Sequence, residues 1–135
     1  MIFIDHFTKY IWFYPLKQKS EVKDIFIRFK TIVEKHFDKK IKTFYSDNGG
    51  EYTTLAHFLS TNGISHLTTP PRTSEHNGFS ERCHLHIVET GLALLSHASL
   101  PLIYWSHAFA TTVYLINRMP TPTLNLSSLR TYIWN

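Results

Sequence analysis

Val22, Ile25, Phe26, Phe29, Ile32, Val33 and Phe37 recur at intervals of three and four, a spacing that an α-helix turns into one continuous apolar face. The pattern predicts a helix over about 20–37, with Ser20 as its N-cap. The segments on either side have a different character. β-Branched and aromatic side chains crowd 2–5 (IFID) and 10–16 (YIWFYPL), and the polar stretch between them is short enough for an antiparallel hairpin. After the helix, IKTFYS runs into Asp47-Asn48-Gly49-Gly50, so a strand ends at Asp47. A short helix over 53–61 is terminated by Asn62-Gly63, and ISHL at 64–67 returns as a strand. Strands that alternate with amphipathic helices point to an α/β fold.

The second half is read as helical. Residues 69–78 (TPPRTSEHNG) carry two prolines and an Asn-Gly pair, which predicts a loop, with helix from about Gly78 to Ser96. On that helix Glu81 and Leu85 begin a stripe continued by Val88, Leu92 and Leu95, placing Glu81 at the head of the core-facing side. Pro101 suits the first turn of a last helix whose buried face would be Leu102, Trp105, Phe109, Val113 and Ile116, stopped by Met119-Pro120 and Pro122. A chain of 135 residues suits one domain, read here as 1–120, followed by a poorly packed tail over 121–135.

Several functions are excluded or disfavoured. No apolar run approaches the roughly 18 residues of a membrane span, and MIFIDHFTKY lacks the features of a cleaved leader. The single Cys83 rules out an internal disulfide and a Cys-pair zinc finger. His84 and His86 point in different directions on a helix, so with His76 they are not expected to bind zinc. Of the fourteen Lys and Arg, ten lie in residues 1–42 against five acids, so the basic excess sits in the first third. It could face phosphates or simply solubilise a helix.

Two acids stand out by position: Asp47 at the carboxyl end of a strand, where open α/β sheets place their sites, and Glu81 early in a helix after a loop. Each has an ordinary explanation as well, Asp47 as a turn former and Glu81 as an acid favoured by the helix dipole. Alternatively the pair could share hard divalent cations, because two-metal phosphoryl transfer needs carboxylate oxygens from separate elements.

The surrounding residues favour the second reading. IKTFYSDNGGEY at 41–52 resembles the second acidic motif of retroviral and retrotransposon integrases, and TPPRTSEHNGFSER at 69–82 resembles the third. FIDHFTKYIWFYPLKQKSEV at 3–22, GISHLTTPP at 63–71 and HASLPLIYWSHAFATTVYLINRMPTP at 97–122 agree in order, so the resemblance to copia-type integrase cores covers nearly the whole chain. It implies a ribonuclease H-like mixed sheet with flanking helices, and an Asp, Asp, Glu triad that uses Mg²⁺ or Mn²⁺ to trim and join DNA ends. Asp47 matches the second acid and Glu81 the third, both as catalytic residues and metal ligands. Asn77 would lie close to the site, and Arg82 could contact phosphate or pair with a neighbouring acid.

In the family the first acid lies on a central strand upstream of the strand that opens this chain, while Asp5 matches an acidic position not used as a ligand. The resemblance therefore implies an N-terminally truncated core, a polyprotein fragment inactive by itself, with weak or absent Mg²⁺ or Mn²⁺ binding. Without the central strand, the two half-sheets should either close up against each other or leave exposed strand edges. Ser74 stands where relatives usually have Pro, and Cys83 and Leu85 where they have basic residues, which would weaken phosphate contacts. The implied partners are DNA (element ends and target) and further copies of the chain, with no membrane and no zinc, and the implied location is the nucleus. The rival readings are a nucleic-acid-binding module without turnover and a ribonuclease H-like hydrolase.

Overall fold

The computed structural model describes residues 1–47, 49–68 and 74–120, and the expectations for the 69–73 loop segment and the 121–135 tail lie outside them. The elements are β1 (Ile2–Ile4), β2 (Ile11–Phe13), α1 (Val22–Phe37), β3 (Thr43–Ser46), α2 (Thr53–Thr61), β4 (Ser65–Thr68), α3 (Ser74–His97) and α4 (Trp105–Ile116). The chain divides into two compact units, one joining Met1–Pro15 to the chain from Phe79 onward, the other Leu16–Gly78. Among the described residues the strands form two two-stranded sheets, β1 with β2 and β3 with β4.

In the first unit β1 and β2 are antiparallel, with Ile2 opposite Phe13 and Ile4 opposite Ile11. The period of two puts these four side chains on one face, where they pack with Ile87 and Cys83 of α3 and Phe109, Val113 and Ile116 of α4. The α3 residues that reach this core are Cys83 and Ile87, with Gly91 one turn further on against Phe109. Leu85 and Leu92 are exposed, and so is Glu81, which corrects the expected core-facing stripe. Two apolar series at helical spacing compete on α3, and the one containing Gly91 prevails because a glycine admits the closest neighbour. A Cβ on Gly91 would lie 2.3 Å from the Phe109 ring. On α4 the buried positions are Ala108, Thr112 and Val113, while Leu102 is exposed in the 3-10 turn ahead of the helix.

The outer edge of β2 meets a side chain instead of another strand. The buried Asn117, just past α4, accepts from the Ile11 N–H at 3.0 Å and donates to the Ile11 carbonyl at 2.8 Å. One amide thus satisfies both backbone groups, which would otherwise be buried without partners.

In the second unit β3 and β4 are parallel, Phe44 beside His66 and Ser46 beside Thr68, and the connection runs through α2 as a parallel pair requires. The unit closes around Phe26 of α1, whose ring meets Phe44 at 4.8 Å and Phe58 at 6.3 Å, with Leu55 and Leu59 fully buried. Burying a side chain of that size contributes about 1.5–3 kcal/mol. Val22 and Phe29 share this face, but Ile32 is exposed, so the apolar stripe is narrower than expected. Ser20 does not cap α1. It lies in a 3-10 turn, and the chain entry is fastened by Glu21, whose carboxylate accepts the Lys17 and Gln18 amides at 2.9 and 3.3 Å.

Candidate functional site

Asp47 follows the last residue of β3 and is exposed. The strand ends where the Gly49 N–H donates to Asp47 Oδ1 at 3.1 Å, the local side-chain bond that makes Asp a turn former. Gly49 has an ordinary φ of −60°, so its role concerns space and not conformational freedom. A Cβ there would lie 2.9 Å from Glu51 Oε2 and 3.1 Å from Asp47 Oδ1. Two carboxylates therefore flank one glycine. Glu51 approaches Lys19 Nζ at 3.8 Å, a contact with an exposed lysine that adds little, and Asp47 has no ion pair among the described residues. Burial pushes the neighbouring Tyr52 phenol up, and the charges of Asp47 and Glu51 push it further.

The backbone at Asp47 is fixed as well. Ser46 Oγ donates to the Asp47 carbonyl at 2.9 Å and lies 2.8 Å from His66 Nε2 on the adjacent strand. Sequence reading passed over Glu51, Ser46 and His66. Glu51 lay within the quoted DNGGEY motif, whereas pairing Ser46 with His66 requires the register of β3 against β4.

The remaining candidates belong to α3 and the hairpin. The structure gathers Asp47 with Glu51 in the Leu16–Gly78 unit, while Glu81 and Asp5 belong to the other. Glu81 and Arg82 are both exposed, and neither forms an ion pair among the described residues. Asn77 and Gly78 lie inside the first turns of α3, which begins at Ser74 and not near Gly78. The Asn-Gly pair, read as a turn, is carried within a 24-residue helix, whose length overrides a local cost of about 1 kcal/mol for the glycine. Asp5 holds the hairpin turn: its Oδ2 accepts the Thr8 amide at 2.6 Å and the Thr8 hydroxyl at 2.7 Å.

The donor chemistry of the Asp47 turn suits a hard cation, because its exposed carboxylate forms no ion pair with a lysine or arginine among the described residues. Among the described residues no group of three or more His, Cys, Asp and Glu side chains gathers. Cys83 offers no thiolate, since burial pushes its thiol up to about 11.

Residues 1–74 match the family described as integrase core domain. The chain belongs to that family. This integrase core is 65% identical over 128 residues to the retrovirus-related Pol polyprotein from transposon RE1 of Arabidopsis thaliana, a match that covers 95% of the chain. It is 42% identical over 124 residues to the corresponding polyprotein from transposon TNT 1-94 of Nicotiana tabacum, covering 90% of the chain. The integrase core spans 9% of the length of each of these relatives. Among solved structures, the HTLV-2 integrase catalytic core domain in complex with magnesium has a TM-score of 0.72 at 17% identity, over 98% of this chain and 82% of that one. The catalytic core domain of BIV integrase has a TM-score of 0.69 at 13% identity, with the same coverages. At such identities the likeness is one of fold, and the fold is the ribonuclease H-like α/β arrangement of integrase cores.

Proposed function

We propose that this integrase core serves metal-dependent trimming and joining of DNA ends within a copia-type retrotransposon polyprotein, with Asp47 and Glu81 as the carboxylates that hold the cation. The observation that carries the reading is Asp47 itself: an exposed carboxylate at the carboxyl end of β3, oriented by Gly49 and without an ion pair among the described residues. Mg²⁺ or Mn²⁺, when bound, would activate a water or a DNA 3′ hydroxyl and offset charge on the attacked phosphate. The protein's own contribution is to hold the oxygens in place. Gly49 orients Asp47 Oδ1, and Ser46 fixes the backbone that carries it. Asp5 is not proposed as a third ligand, because its Oδ2 is committed to Thr8. No third acid is assigned among the described residues, and the chain alone is proposed to be inactive. Assembly of several copies on DNA and action in the nucleus belong to the same proposal. A solved intasome of simian T-cell lymphotropic virus, with a TM-score of 0.76 at 17% identity, is in keeping with the assembly.

The test is a joining assay with labelled DNA ends and Mn²⁺. The isolated chain should give no product, and the chain supplied with an upstream acid-bearing strand should give product that Asp47→Asn or Glu81→Gln abolishes. Joining that survives either substitution removes the assignment. A second reading, DNA binding without turnover, is favoured by the exposed Lys23, Arg28, Lys35, Lys39, Lys40 and Lys42 of the Leu16–Gly78 unit. It would be upheld by salt-dependent DNA binding from a protein that joins nothing even with the added strand.

A further inference from the structure

We infer that His66 is a positioning residue for Asp47, acting through Ser46. The inference rests on the reading of Asp47 as a cation ligand and adds to it the device that sets where that ligand stands.

The argument is one of donors and acceptors. A serine hydroxyl has a single hydrogen to give and lone pairs to receive. Ser46 Oγ lies 2.9 Å from the Asp47 carbonyl oxygen, which can only accept, so the hydroxyl hydrogen is directed there. The same oxygen lies 2.8 Å from His66 Nε2. With its hydrogen already given, Ser46 must accept, and Nε2 must be the donor. The order is then fixed as His66 Nε2–H to Ser46 Oγ–H to the Asp47 carbonyl.

Each member is held by the fold. Phe44 and His66 are register partners in the parallel pair, and their rings lie 5.7 Å apart at a shallow angle of 32°. Phe44 in turn packs on the fully buried Phe26. The imidazole is therefore oriented by the core of the unit, and it passes that orientation to the first residue after β3. Asp47 is gripped on two sides, its carbonyl by Ser46 and its Oδ1 by Gly49, which leaves the rest of the carboxylate directed outward. A hydrogen-bonded chain of this kind strengthens each of its links and resists rotation about the Asp47 backbone.

The experiment uses the 135-residue chain in solution by NMR, with three readouts. The first is the tautomer of His66 from long-range ¹H–¹⁵N correlations, expected to be the Nε2–H form. The second, independent of any cation, is hydrogen exchange of the Gly49 amide, which reports whether Asp47 Oδ1 stays in place. The third is Mn²⁺-induced broadening of the same amide. His66→Phe keeps the ring on Phe44 but loses the donor, and Ser46→Ala loses the hydroxyl. Both should speed Gly49 exchange and weaken Mn²⁺ binding by about three- to tenfold, the effect of one hydrogen bond. His66→Asn and Ser46→Thr, which retain a donor and a hydroxyl, should recover most of the loss.

A His66 in the Nδ1–H tautomer overturns the inference, as does unchanged exchange in both His66→Phe and Ser46→Ala. If these two variants bind Mn²⁺ as the parent does while Asp47→Asn abolishes binding, the positioning role fails and the ligand assignment stands. If Asp47→Asn leaves the parent's Mn²⁺ broadening unaltered, the ligand assignment fails; in that case, and where the chain alone holds no Mn²⁺, the exchange data decide whether His66 orders the turn. Should His66→Phe not fold, Ser46→Ala carries the test, because it removes one hydroxyl at the end of a strand.

Discussion

Asp5 and Asp47 both close turns at strand ends, yet their oxygens are used differently. Asp5 Oδ2 takes two bonds from Thr8, one from the backbone and one from the hydroxyl. Asp47 takes one amide and remains exposed. Asp5→Ala should therefore act on stability, lowering it by about 1–3 kcal/mol in chemical denaturation, whereas Asp47→Ala should cost less in the same measurement. Cys83 gives a second check at this scale. Burial raises its thiol to about 11, so at pH 8 alkylation by iodoacetamide should be far slower in the folded chain than in urea. At the level of single residues the sequence was legible for the place of Asp47, directly after a strand and before a glycine turn. It misled where two apolar series shared a helix: Glu81 was assigned to the core side of α3 because Leu85 and Leu92 matched its spacing, but Cys83, Ile87 and Gly91 face the core. Burial on a helix is decided by its neighbours, and the neighbour here is Phe109 of α4.

Elements proved easier to read than their faces. Both hairpin strands, the span of α2 and the end of β3 before Asp47 fall where composition and turn residues placed them. Gly63, with φ +68°, ends α2 through the left-handed conformation that glycine adopts freely, as the Asn-Gly signal implied. The start of α3 was missed, because Asn77-Gly78 is a turn signal only when no longer helix enforces its geometry. The contact between α3 and α4 supplies a sharp prediction. Gly91→Ala would drive a methyl to within 2.3 Å of the Phe109 ring, so the variant should lose about 1–3 kcal/mol or repack. Phe109→Leu, by making room, should recover part of that loss in the double variant.

Acid should weaken the whole molecule in a way that can be traced to a particular carboxylate. Burial alone would raise Glu34, but hydrogen bonds from Lys30 and the Ile41 amide, with the charges of Lys30 and Lys40, hold it below its ordinary 4.5. A carboxylate depressed in the fold binds its proton less readily than in the unfolded chain. The stabilisation is therefore complete above the unfolded value and fades as pH falls through the folded one. The Tm should be flat from neutral pH down to about 5 and drop below 4.5, and the drop should be shallower in Glu34→Gln. Glu21, lowered by the Lys17 and Gln18 amides, adds to the same trend. The division into two sheets is the part of the whole that no local pattern displayed, since strand pairing across long separations is specified by edges and register rather than by composition. Asn117 bears on those edges. Because its amide already occupies the backbone of Ile11, the ribbon of β1 and β2 has a closed side and can be widened in one direction only. Any further strand recruited to it would have to run alongside β1.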